Sequence, residues 1–161
     1  MLVRMSAQPP RREPPAGIAV EPVPATRLRE FHTVMETSFA EHWGWRSETF
    51  DEWSERKSNG PATDRSLWFW ALRDGEPVAS VEGSVKPTHG WINQLSVLPA
   101  HRGEGLGEVL LTHALDQFWA RDVREVGLGV DAENATGATR LYEKVGFGVE
   151  HTYGIFDKPL R

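Results

Sequence analysis

The chain has 161 residues, 39% of them hydrophobic and 25% charged, which suits one domain with a sizeable core. Its formal net charge of −5 disfavours nucleic acid as a partner, because phosphate binding needs a positive surface. It contains no cysteine, which excludes disulfides, a cysteine nucleophile and a thiolate metal site, and its apolar runs are too short to span a membrane. Because its first residues lack the apolar stretch of a signal peptide, we expect a cytoplasmic protein.

The beginning of the chain differs in composition from the rest. Residues 1–16 hold four prolines and few apolar side chains, which predicts a disordered tail. Residues 17–161 are predicted to form a single domain, and no internal repeat is visible in them.

Hydrophobic periodicity predicts alternating groups of helices and strands in this domain. The first half predicts a strand over 18–20, helices over 25–40 and 47–57, and strands over 67–73, 77–86 and 91–98. The second half predicts a helix over 105–121, a strand over 126–130, a helix over 138–145, and strands over 147–150 and 153–158. This order indicates a mixed α/β (α+β) fold.

The most informative segment is Arg102-Gly103-Glu104-Gly105-Leu106-Gly107, which joins a predicted strand to an amphipathic helix. Amide N–H groups converge at a helix N-terminus and bind anions there, and Arg102 adds a fork of donors. A dinucleotide fingerprint would need glycine at Glu108, and a P-loop would need Gly-Lys-Ser/Thr, so both are excluded. The turn therefore predicts a phosphate-bearing ligand of another kind, unless it is simply a close packing corner between strand and helix.

This turn, within residues 94–111, resembles the coenzyme-A motif of the GNAT N-acetyltransferases. The downstream residues Asp131-x-x-Asn134 and 141–147 (Leu-Tyr-Glu-Lys-Val-Gly-Phe) resemble the second motif of that family. The resemblance covers residues 17–161 and is greatest to actinobacterial members, including mycothiol-synthase-like domains, with a single copy here. It implies a central, mostly antiparallel sheet of about six to seven strands, flanked by about four helices. It also implies acetyl-CoA as co-substrate and no metal.

The resemblance assigns roles to residues of the coenzyme side. The pantetheine arm is expected along the backbone of Leu95, Ser96 and Val97. The pyrophosphate is expected on five residues of the turn, namely Arg102, Gly103, Gly105, Leu106 and Gly107. Asn134 matches a coenzyme-contacting asparagine of the family, although it lies one residue too far from the second motif. Capping of the following helix explains Asn134 equally well.

The resemblance matches Tyr142 to the tyrosine that protonates, or stabilises, the departing coenzyme-A thiolate, and a phenol with a pKa near ~10 is suited to donate that proton. The alternative interpretation of Tyr142 is a core residue on the apolar face of the helix. At the position of the family's glutamate stands Trp91, which cannot act as a base. Glu82 is the candidate general base, unless it is a solvated surface charge and a water chain takes the proton. Other candidate bases are His89, Asp131 and Glu133.

On the acceptor side, Trp43 and Trp45 are candidates for the walls of a pocket that holds a cationic amine over an aromatic face. A packed aromatic loop is the alternative. The predicted function is transfer of an acetyl group from acetyl-CoA to a small-molecule or peptide amine by direct attack in a ternary complex. A module that binds acyl-CoA without turnover and a plain interaction domain are the alternatives. Neither nucleic acid nor a membrane is an expected partner, and a homodimer is left open.

Overall fold

A computed structural model describes residues 1–41, 44–58, 64–129 and 137–148 of the chain. Its strands are β1 (Leu2–Arg4), β2 (Ile18–Pro22), β3 (Trp68–Arg73), β4 (Glu76–Val85), β5 (Gly90–Val97) and β6 (Glu125–Leu128). Its α-helices are α1 (Leu28–Phe39), α2 (Phe50–Ser58), α3 (Leu106–Ala120) and α4 (Gly137–Val145). Six strands and four helices in these ranges confirm the predicted mixed α/β fold.

The six strands form one sheet in the order β1-β6-β5-β4-β3-β2. All neighbours are antiparallel except β5 and β6, which run parallel. That parallel pairing extends only from Gly90↔Val126 to Ile92↔Leu128, although β5 continues to Val97. Among the described strands, none pairs with β5 on this side beyond Ile92, so the second half of β5 presents an open edge.

Each face of the sheet carries its own apolar core, and β3 divides its side chains between them. Trp68 and Trp70 pack with Phe31 of α1 and Trp53 of α2 on one face. Phe69, one residue out of phase, packs on the other face with α3. This division follows from the two-residue period of a strand, and it places α1 and α2 opposite α3.

The first residues of the chain differ from the predicted disordered tail. Leu2–Arg4 form an edge strand that pairs antiparallel with β6, and the Met5 N–H donates to the Arg124 carbonyl at 2.7 Å. Val3 and Met5 are each only 8% exposed and belong to the core on the α3 face. Alternation is the physical reason, because Val3 and Met5 point inward while Arg4 points outward. The boundary of the domain at residue 17 stays a prediction.

The predicted closing pair of strands, 147–150 and 153–158, lies outside the described residues except at its start. There Gly148 forms a single antiparallel bridge with Leu2, with N–H to carbonyl distances of 2.8 Å in both directions. Phe147 is buried in the core on the α3 face. No helix in the described ranges is both long enough and apolar enough to cross a membrane.

Candidate active site

A cleft of 1080 Å³ runs along the open edge of β5 and between the helices on either side of it. It is large enough for a cofactor-sized ligand together with a small acceptor. Its walls contain most of the residues predicted from the sequence. These are Trp45, Glu82, Leu95, Ser96, Val97, Arg102, Gly103, Gly105, Leu106, Gly107 and Tyr142.

At one end of the cleft, the glycine turn leads directly into α3. Gly103 and Gly105 have φ angles of 85° and 81°, in the left-handed region that favours glycine. Gly105 is the N-cap of α3, and no side chain caps the helix there. Bare amide N–H groups therefore stand at the positive end of the helix dipole, which is a seat for an anion.

Gly107 has a different requirement. A Cβ at this position would lie 3.1 Å from Cδ2 of Leu141, so its missing side chain lets α3 and α4 approach closely. The alternative of a close packing corner therefore explains Gly107. Gly103 and Gly105, in contrast, are needed for the left-handed backbone of the turn.

Arg102 is held by backbone carbonyls beside the turn. Its Nη2 donates to the carbonyl of Ser38 at 2.9 Å, and its Nε donates to the carbonyl of Val97 at 3.4 Å. The guanidinium thus joins the end of α1 to the end of β5 at the border of the cleft. A guanidinium has five N–H donors, so others remain for a phosphate.

Tyr142 lies on α4, in the wall of the cleft beyond the turn. Its ring packs edge-on against Phe147, with 6.0 Å between the ring centroids. Burial raises the pKa of the Tyr142 phenol above its ordinary value of about 10. The side chain therefore belongs both to the helix packing and to the cleft, and it stays a protonated donor at neutral pH.

Glu82 faces the other end of the cleft, and its alternative as a solvated surface charge is wrong. It is 2% exposed, and its register partners are Trp68 on β3 and Gln94 on β5, so all three side chains share the face covered by α1 and α2. A register shift between Glu82 and Gly83 bends the strand at this point.

A single ion pair balances the buried carboxylate. Oε2 of Glu82 accepts a hydrogen bond from Nζ of Lys57, which α2 brings over the sheet. Oε1 of Glu82 has no partner among the described residues. Because a buried carboxylate oxygen without a partner is unfavourable, Oε1 can accept a hydrogen bond from a ligand in the cleft.

Trp45, a predicted acceptor residue, lies in the wall of the cleft. It stacks on Phe39, with ring centroids 5.0 Å apart, and its Nε1 donates to Oε1 of Glu36 at 3.3 Å. Burial opposes the ionisation of Glu36, but hydrogen bonds from Ser47, the Glu48 backbone and Trp45 outweigh it, so its pKa is lowered. The ring thus lines the cleft and is also a packed part of the loop, and its contact with an acceptor stays a prediction.

Of the remaining predicted residues, the structure describes His89, which does not line the cleft. Trp43, Asp131, Glu133 and Asn134 lie outside the described residues. His89 hydrogen-bonds Thr88 and packs on Trp91 at the turn between β4 and β5. In the described part of the chain, no group of three or more histidine, aspartate or glutamate residues is placed to hold a metal ion.

This geometry agrees with the comparisons to known proteins. The model of the acetyltransferase (GNAT) family matches residues 28–147, well over half of the chain. The chain belongs to the GNAT family.

Two named relatives match different shares of the chain. Mycothiol acetyltransferase of Thermobispora bispora is 32% identical over 147 residues, which cover 86% of this chain and 49% of that protein. The ribosomal protein bS18-alanine N-acetyltransferase of Escherichia coli is 33% identical over 95 residues, which cover 59% of this chain and 64% of that protein. The chain therefore spans about half to just under two thirds of the length of these relatives.

Solved GNAT structures share the fold. A GCN5-related N-acetyltransferase from Sphaerobacter thermophilus superposes with a TM-score of 0.79 and 31% identity, over 89% of this chain and 45% of that one. PaiA N-acetyltransferase from Thermoplasma acidophilum, solved with coenzyme A, has a TM-score of 0.67 over 85% of this chain and 93% of that one. Its identity of 22% shows likeness of fold alone.

Several residues of this GNAT cleft were not among those predicted. Lys57 and Arg56 of α2, Asn93 and Gln94 of β5, and Arg140 and Lys144 of α4 also line it. Lys57 carries no sequence signal, because its partner Glu82 is 25 residues away and meets it only through the packing of α2 on the sheet. Lys144 lies within the second family motif, two residues after Tyr142, and this position is the sequence signal that could have identified it as a residue of the cleft.

Proposed function

We propose that this chain is an N-acetyltransferase that transfers the acetyl group of acetyl-CoA to an amine, by direct attack in a ternary complex. The observation that carries the proposal is one cleft with an anion seat at one end, a buried carboxylate at the other, and a protonated phenol on its wall. The open edge of β5 between them offers backbone groups to an extended arm.

In this proposal the protein binds the coenzyme through its pyrophosphate and its pantetheine arm. The turn from Gly103 to Gly107 receives the pyrophosphate on its amide groups, with Arg102 as the adjacent cation. Leu95, Ser96 and Val97 receive the pantetheine arm along the open edge. The side chain of Ser96 is itself engaged, since its hydroxyl hydrogen-bonds that of Ser80 at 2.6 Å, so the backbone supplies these contacts.

The chemistry requires proton transfers at both sides of the thioester: the acceptor nitrogen loses two protons, and the departing sulfur gains one. Oε1 of Glu82 takes a proton from the acceptor ammonium, directly or through a water molecule, and the neutral amine attacks the thioester carbonyl. A C–N bond forms, the C–S bond breaks, and the Tyr142 phenol gives its proton to the departing sulfur. The nitrogen then loses its second proton, which returns through solvent to the Tyr142 phenolate, and Glu82 releases to solvent the proton that it took from the ammonium. The products are an amide, a free thiol and one released proton.

The acceptor is proposed to carry a primary amine that is cationic in solution. Its ammonium is matched by Glu82, and the rings of Trp45 and Phe39 provide the apolar wall beside it. The names of the relatives suggest a test panel that combines small-molecule amines with a peptide beginning in alanine. The cytoplasmic location and the homodimer stay predictions from the sequence.

Tyr142→Phe tests the function, because it keeps the ring packing on Phe147 and removes only the proton donor. We expect kcat, measured as thiol release from acetyl-CoA with an accepted amine, to fall by about 10²–10⁴-fold. Since the pKa of the phenol is raised, the wild-type rate should decline only above about pH 10, and this limb should be absent in the variant.

Two outcomes would contradict the proposal. An unchanged kcat in the Tyr142→Phe variant would remove the phenol from the mechanism. Stabilisation of the wild type by acetyl-CoA, with no thiol release across the whole amine panel, would favour the module that binds coenzyme without turnover.

A further inference from the structure

The segment before the predicted domain reaches the coenzyme end of the cleft. We call residues 9–12 the N-terminal strap; they pack along α3 beside a second cavity of 480 Å³. The backbone N–H of Arg12 donates to Oγ1 of Thr112 at 3.0 Å, which fixes the strap to the middle of α3. The strap lies outside residues 28–147, so the family match says nothing about it.

The side chain of Arg12 points from the strap to the glycine turn. A Cβ placed on Gly105 would lie 2.5 Å from the guanidinium carbon, so the guanidinium rests directly against the N-cap of α3. Its Nη1 also donates to Oε1 of Glu108, in the first turn of the helix, at 2.9 Å. The side chain is 42% exposed, which leaves it room to turn toward a ligand.

The charges around this point are unbalanced. A cation at the positive end of a helix dipole is unfavourable by itself. Lys144 of α4 adds a second cation, 3.0 Å from the same oxygen of Glu108. Hydrogen bonding to Lys144 is the largest of the effects that lower the pKa of Glu108, which therefore stays ionised. The carboxylate of Glu108 thus pairs with both Arg12 and Lys144, and a further anion would relieve the excess positive charge.

We propose that Arg12 is a phosphate ligand of the coenzyme, supplied by the N-terminal strap, and that it binds a pyrophosphate oxygen at the glycine turn. The inference rests on the proposed function, since the phosphate belongs to acetyl-CoA. Arginine suits the role because its planar donors match phosphate oxygens, and enough of them are free to keep the bond to Glu108. Thr112 positions the strap.

The experiment measures dissociation constants of coenzyme A, 3′-dephospho-coenzyme A and pantetheine by calorimetry. Arg12→Ala should bind the first two about 10- to 100-fold more weakly, the value of one charge-assisted hydrogen bond, and pantetheine as the wild type does. Arg12→Lys should recover part of the loss. Arg4→Ala is the matched control. Arg4 also forms an exposed ion pair, with Glu125 of β6, but neither residue lines the cleft.

The outcomes separate this inference from the proposed function. If the wild type does not bind coenzyme A, the proposed function itself fails. If the wild type binds it and Arg12→Ala binds it equally well, the assignment of Arg12 is wrong and the function is untouched. A loss for coenzyme A but not for its 3′-dephospho form would overturn the pyrophosphate assignment. An equal loss for pantetheine would show that the variant acts through the fold rather than through phosphate.

Discussion

Deleting residues 1–5 tests whether the N-terminal edge strand is a structural part of the domain. The deletion removes Val3 and Met5, each 8% exposed in the core on the α3 face. Burial of such a side chain contributes about 1.5–3 kcal/mol, so the two together contribute about 3–6 kcal/mol. Since domains are stable by about 5–15 kcal/mol, this loss is a large fraction of the total.

Urea unfolding followed by tryptophan fluorescence measures the effect, because Trp68 and Trp70 are buried in the sheet. With an m value of about 2 kcal/mol/M, the unfolding midpoint should fall by about 1.5–3 M. Arg4→Ala is the control, since Arg4 points outward from the same strand and its loss should change stability by about 0.5 kcal/mol or less. A deletion that costs less than about 1 kcal/mol would refute the packing of this strand.

The remaining predictions concern the two ends of the cleft. Glu82→Gln keeps the shape of the buried side chain but removes the base, so kcat in the thiol-release assay should fall by about 10²–10⁴-fold, whereas Lys57→Arg should retain turnover; equal rates for the two variants would favour a water chain. Gly105→Ala should lower the urea midpoint about as much as Gly75→Ala, because both glycines have positive φ and the guanidinium of Arg12, which is 42% exposed, can turn away from the new methyl group. A much lower midpoint for Gly105→Ala than for Gly75→Ala would contradict the freedom of the Arg12 side chain to turn toward a ligand.

The coenzyme side of the cleft could be predicted because its signals are local. Glycines that need a left-handed backbone, followed at once by an amphipathic helix, define the turn within six residues. The strand before the turn is marked by its own apolar residues. The described residues predicted for the coenzyme therefore all line one cleft, although the sequence did not show that Arg102 also bonds the end of α1.

The N-terminal strand was missed for a physical reason. Its inward residues, Val3 and Met5, give only two points of alternation, and prolines follow soon after. Such a short strand is stable only through its partner, and β6 lies more than 120 residues away. The signal was present in Leu2-Val3-Arg4-Met5, but the proline content of residues 1–16 outweighed it.

The ion pair of Glu82 depends on tertiary structure in a similar way. The sequence predicted β4, and alternation puts Glu82 on the same face as Ser80, but the strand pattern does not tell that α1 and α2 cover this face. The docking of α2 then brings Lys57 over the same face. A charged residue in a strand is usually solvated, so composition alone favoured the surface interpretation that burial overturns.

Arg102 connects the two sides of the cleft even before a ligand binds. Its bond to the Ser38 carbonyl places a cation at the C-terminal end of α1, where the helix dipole favours positive charge. The same guanidinium contacts the carbonyl of Val97, at the end of the open strand edge. A phosphate at the glycine turn would thus meet a cation that is already fixed, which lowers the ordering cost of binding. Because α1 carries Phe39, against which Trp45 stacks, the contacts that hold the proposed phosphate ligand also hold the wall of the acceptor side.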